Sequence, residues 1–150
     1  AGGGQEHRLY WSHDTRPGEL LAVQRMAHAA GLAYLSQETH LCIHPEFSTW
    51  FAIRGCVVFP GLQGAATAPP PPHCPVPAQR LVAAGEALKA AVRGPVESET
   101  HAEVAKGWEM WVAVRDVVDP GHPARYFKEQ IEYHYTGEKS ILEAAANALP

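Results

Sequence analysis

Two arginines stand where apolar neighbours should bury them, and a guanidinium so placed has one main chemistry, holding an anion. Arg54 lies inside the run Trp50-Phe51-Ala52-Ile53-Arg54-Gly55-Cys56-Val57-Val58-Phe59, bounded by Pro45 and by Pro60-Gly61. Arg115 follows Val104, Trp108 and Trp111 at intervals of four, three and four, which on a helix puts the cation on the stripe of both indoles. An uncompensated buried charge costs several kcal/mol, so each arginine needs a carboxylate, from the protein or from a ligand in a cleft. The planar guanidinium suits that partner because it can make two parallel hydrogen bonds to it. Residue types alone leave both sources open, internal ion pairs being the commoner.

Other candidate groups are weaker. Cys42-Ile43-His44 invites a metal reading, but zinc takes about four ligands at paired spacings, and Cys56 and Cys74 supply no second pair. No metal site is therefore expected. On a strand Cys42 and His44 would point the same way and could meet as nucleophile and base, yet no third group is in view to orient them. His28 sits at the edge of an apolar helical stripe beside Leu21 and Gln24, where a lone histidine is usually a satisfied boundary residue. Trp108 and Trp111 read as core.

The elements that must position these groups follow from periodicity. Residues 18–34 have helical spacing, with Leu20, Val23, Ala27, Ala30 and Tyr34 on one stripe and Pro17 as a first-turn residue. Residues 50–59 read as a buried strand. Parity sends Phe51, Ile53, Gly55, Val57 and Phe59 to one face, and Trp50, Ala52, Arg54, Cys56 and Val58 to the other. The segment before it, residues 35–43, is a candidate partner in a hairpin. Residues 62–77 form a linker with Pro69-Pro70-Pro71-Pro72 at its centre, expected to be extended rather than packed. A helix over 78–93 has Leu81, Ala84, Leu88 and Val92 in register. Thr100 and Glu103 have capping-box spacing for the helix carrying Arg115, which Asp119-Pro120-Gly121 ends. A further helix spans 125–135, and the Ala-rich residues 141–149 form a tail of undecided order.

Composition bounds the class. The 150 residues, 46% hydrophobic and 19% charged, suit one globular domain. A net charge of -4 without a basic stripe argues against nucleic acid as a partner. Three cysteines close no disulfide framework and favour a reducing compartment. With no apolar run of about 18 residues, the expectation is a soluble, cytoplasmic protein without a membrane partner.

Cys42-Ile43-His44-Pro45, then Phe47, then Trp50-Phe51-Ala52-Ile53-Arg54-Gly55 and Pro60-Gly61, resembles the signature of the CblC family of cobalamin-processing proteins. The likeness runs upstream through Arg16-Pro17, Leu21-Ala22 and Ala27-His28-Ala29-Ala30-Gly31-Leu32-Ala33-Tyr34 to Gln37. Downstream it survives as islands: Cys74 with Pro75 to Pro77, Arg80, Trp108, Trp111, Arg115-Asp116 and Arg125-Tyr126. The resemblance implies an α+β fold of the flavin nitroreductase-like kind, of which residues 1–150 would be the C-terminal part, the N-terminal sheet portion being absent before Ala1. The stretch 81–107 then looks like an insertion.

By the same resemblance, His28, Gln37 and Ile53 would line a cobalamin site, and Arg54 and Arg115 would hold glutathione. Lys139 is the nearest basic residue to a third arginine of the family. Tyr126 would be a flavin or dimer contact, and residues 13–17 match a dimer loop with one arginine. The implied activity is removal of the upper axial ligand of cobalamin, by glutathione-dependent dealkylation or by reductive decyanation with FMN or FAD as an optional cofactor. A downstream cobalamin-trafficking protein is the implied partner. Two other classes stay open: a non-catalytic cobalamin chaperone and a flavin reductase of nitroreductase type. Arginines open to a cleft favour the enzyme, and arginines closed by internal carboxylates favour the chaperone.

Overall fold

A computed structural model of the chain describes residues 6–64, 69–92 and 107–148. Its elements in order are β1 (Arg8–Trp11), α1 (Val23–Ala29), β2 (Tyr34–Leu35), β3 (Cys42–Ile43), β4 (Gly55–Val58), α2 (Ala78–Val92), α3 (Trp108–Val118), α4 (Lys128–Thr136) and α5 (Lys139–Asn147). The architecture is α+β. The capping-box residues Thr100 and Glu103, and Val104 of the arginine stripe, lie outside the described residues.

Helix α2 forms where Leu81, Ala84 and Leu88 recur on one face, and it packs along α3. Leu81, Ala84 and Ala91 meet Val114 and Val118 of α3 and Ile43 of β3 in the main core. Val92, expected in register, is exposed, and Ala91 takes the inner position. Gly85 lets the loop before β3 approach α2: a Cβ there would lie 3.4 Å from both the Cβ and the carbonyl oxygen of Glu38.

Strand pairing departs from the expected hairpin. Strand β4 pairs antiparallel with β1, Tyr10 opposite Cys56 and Trp11 opposite Gly55, whereas β3 pairs with β2, Tyr34 opposite Ile43. Between β3 and β4 the chain makes a tight turn, with His44 bridging Ser48 and Ser48 at φ 49°. Beyond that turn, 50–54 makes no ladder, and the regular strand begins only at Gly55. Alternation of faces nevertheless holds through it. Phe51 and Ile53 pack with Ala27, Ala33 and Cys42, while Trp50 packs with Val112 and Ile131 on the opposite side.

Three further expectations need correction, and the order of the Ala-rich tail, left open, is settled. The first helix is confined to Val23–Ala29, because Gly18 adopts φ 85° in a turn and Leu20 is exposed. The linker packs: Pro69 lies against Gly31, and Cys74 and Val76 join the main core. Helix α4 starts at Lys128 rather than 125, because Arg125 and Ala124 belong to a turn closed onto His122. The Ala-rich tail is helical as α5, separated from α4 by Gly137 at φ 71°.

Candidate ligand cleft

Because Trp50 and Phe51 face opposite ways, the 50–54 segment has a cleft on each side. Beyond Ala52 and Arg54 lies the larger, about 430 Å³, walled by Tyr126, Gln130, Tyr133 and His134 and closed by Gly137 and Leu142. Beyond Phe51 and Ile53 lies a smaller one of about 130 Å³ bordered by Gln24, Cys42, Thr49 and Arg115. Ile53 also faces an apolar hollow of about 180 Å³ with Val23, Met26 and Leu32.

Arg54 is exposed, not buried, and lies just outside the regular strand, which begins at the next residue. Its backbone carbonyl accepts the Ser12 N–H at 2.8 Å, but its guanidinium has no hydrogen-bonding or ion-pairing partner among the described residues and borders the large cleft. Arg115 is half-buried. Its Nη1 donates to the Thr49 carbonyl at 2.5 Å and its Nε to the Tyr135 hydroxyl at 3.2 Å, while its guanidinium carbon stands 5.7 Å from the Trp50 ring centroid. All of these partners are neutral. Two carboxylates at the C-terminal end of α3 are taken by other cations: Asp116 by Arg125 through two bonds of 2.7 and 2.9 Å, and Asp119 by Arg80 at 3.1 Å.

Arg54 and Arg115 do not line one cleft. They are joined electrostatically by His134, whose pKa is held below the ordinary histidine value by desolvation, then by Arg115 and Arg54. Burial pushes the Cys42 thiol up, and its Sγ faces the Gln24 carbonyl at 3.6 Å. His44 instead turns its Nδ1 to the N–H groups of Glu46 and Phe47, so the Cys42–His44 pair does not form. No group of three or more metal-ligating side chains occurs among the described residues.

The other expected site residues are dispersed. Ile53 borders both smaller spaces. His28 accepts the Leu35 N–H at Nδ1, 3.2 Å, with its ring edge-on to Tyr34, the satisfied boundary role. Gln37 is exposed in the turn before β3. Tyr126 walls the large cleft and meets Trp50 edge-on at 5.6 Å. Lys139 is exposed on the first turn of α5 and does not border the cleft. Trp108 stacks at 6.3 Å on Tyr135, the residue that receives Arg115, and Trp111 packs on the main core. Sequence reasoning missed Gln130, Tyr133 and His134. Their spacing with Tyr126 and Gly137 is i, i+4, i+7, i+8, i+11, one helical stripe whose polarity hid it from a search for apolar faces.

The site is thus an α+β scaffold around an open, cationic cleft. No family model matches the chain. It is 39% identical over 156 aligned positions to the human cyanocobalamin reductase / alkylcobalamin dealkylase, covering 94% of this chain and 48% of that protein. The mouse protein of the same name is 39% identical over 80 residues, 43% of this chain and 28% of the relative. The crystal structure of a C. elegans B12-trafficking protein CblC superposes with a TM-score of 0.65 at 18% identity, over 97% of this chain and 58% of that one. Fold and relatives thus define a CblC-like α+β protein. In sequence the chain is similar to the curated cyanocobalamin reductases / alkylcobalamin dealkylases, and it spans about half the length of the human one.

Proposed function

We propose that this chain binds cobalamin as substrate and contributes to removal of its upper axial ligand, with glutathione as thiol donor. The observation that supports it is that neither Arg54 nor Arg115 is closed off by a carboxylate among the described residues, one facing the 430 Å³ cleft and the other bonded only to neutral oxygens. A tripeptide with two carboxylates meets that need through charge-assisted hydrogen bonds. The apolar hollow at Ile53, Val23 and Leu32 suits the broad face of a corrin. His28 and Gln37 would contribute at its amide-bearing edge.

For an alkylcobalamin, the thiolate sulfur takes the alkyl carbon and both electrons of the cobalt–carbon bond stay on cobalt, giving a thioether and cob(I)alamin. For cyanocobalamin, a reductant supplies electrons and cyanide leaves; a flavin held near Tyr126 would be one source. The protein's part is positioning, which turns a slow encounter into a local reaction. The fold reading is nitroreductase-like, the location the cytoplasm, and a trafficking protein receives the product. No described helix is long and apolar enough to cross a membrane.

The test is optical. Mixing the protein with methylcobalamin should shift the visible spectrum to the base-off form, and added glutathione should then consume methylcobalamin and yield S-methylglutathione. A base-off shift with no glutathione-dependent loss would replace the enzyme with the chaperone reading.

A further inference from the structure

On the glutathione reading above, we propose that His134 is the third basic group of the carboxylate clamp, so that the tripeptide binds with uptake of a proton. Three observations place it there. His134 borders the large cleft with Arg54, whereas Lys139, the basic residue picked out by sequence, does not. Its ring stands edge-on to its chain neighbour Tyr135 at 5.1 Å, whose hydroxyl receives Arg115, and both Arg115 and Arg54 are close enough to act on the imidazole electrostatically. Finally, no Asp or Glu among the described residues borders this cleft, in a chain with 16 acidic residues against 12 Lys and Arg. A wall of guanidinium, imidazole, two phenols and an amide with no acid is built for an anion.

The groups facing His134 are Arg115 from α3, Arg54 from the segment before β4, and the Tyr126, Tyr133 and Tyr135 phenols; α5 presents Leu142. His134 keeps part of its surface exposed, and desolvation of the rest, then the two arginines, hold its pKa below the ordinary histidine value. A carboxylate bound beside it offsets those cations and favours the imidazolium. Binding then draws a proton from solution, and affinity rises as pH falls through the pKa of the complex, levelling off below the lower pKa of the free protein. Free carboxyls titrate near pH 3.5 and α-amines near 7.7–8, so the ligand is silent between pH 5 and 7.

The probe is S-methylglutathione, whose blocked thiol removes both chemistry and thiol ionisation. Calorimetric titration between pH 7 and 5, in buffers of different ionisation enthalpy, should show affinity rising about tenfold for each unit by which binding lifts the His134 pKa, with net proton uptake. His134→Gln should flatten this dependence. His134→Lys should hold the acid-side affinity across the whole range. Binding without pH dependence, or a dependence that survives His134→Gln, would overturn the clamp and leave the glutathione reading standing. No binding even at pH 5 would overturn the glutathione reading itself, and the clamp with it.

Discussion

Replacing Arg115 by Met should damage both stability and thiol binding, whereas the same change at Arg54 should damage binding alone. The difference follows from where each guanidinium ends. Arg115→Met removes the charged bond to the Thr49 carbonyl, about 1.5–3 kcal/mol for a hydrogen bond to a charged group. It also removes the cation over Trp50, about 0.5–1 kcal/mol. Met keeps most of the buried aliphatic stem, so little packing is lost in compensation. The sum is about 2–4 kcal/mol, and for a domain of this size that lowers the melting temperature by roughly 4–16 °C. Arg54→Met touches an exposed side chain, and its backbone bond to Ser12 survives, so stability should stay within about 0.5 kcal/mol. Both variants should weaken S-methylglutathione binding by at least tenfold, about 1.4 kcal/mol. Urea unfolding and calorimetry on the same preparations separate the two effects. A loss below about 1 kcal/mol for Arg115→Met, or equal destabilisation by both variants, would refute the assignment of one anchored and one free cation.

Two further outcomes test the scaffold. Gly55→Ala would place a Cβ 2.3 Å from the Tyr10 carbonyl oxygen, a backbone atom held by the β1–β4 register, so it should cost about 1–3 kcal/mol. Hydrogen exchange should report it as lost protection over Arg8–Trp11, and unchanged protection there would disprove the pairing. Cys42, 8% exposed and with its thiol pKa raised by burial, should be alkylated by iodoacetamide more slowly than the half-buried Cys56 and Cys74, and its rate should rise only at higher pH. Mass spectrometry of partly labelled protein checks the order, and early modification of Cys42 would contradict its burial.

Face alternation across 50–54 was readable in the residues themselves, because parity in an extended chain does not need a ladder: Phe51 and Ile53 went one way, Trp50 and Arg54 the other. The helical stripe of α2, the stop after Val118 and the family pattern were equally local. Arg54's exposure was not. Nor was the strand pairing: β4 pairs with β1, more than forty residues upstream, rather than with β3, and a pattern of apolar residues does not state its partner. His134 was hidden for a related reason, since a polar residue on a helix acquires meaning only from what packs opposite it.

The sequence by itself determined most of the helices, the face alternation across 50–54 and the likeness to cobalamin-processing proteins, all of which are properties of neighbours along the chain. Tertiary structure alone decided that Asp116 and Asp119 are taken by Arg125 and Arg80, that Arg115 is left with neutral oxygens, and that His134 is influenced by both Arg115 and Arg54. The physical reason is that electrostatic partnership depends on distance through space, and closure of the fold sets distances that spacing in sequence does not encode.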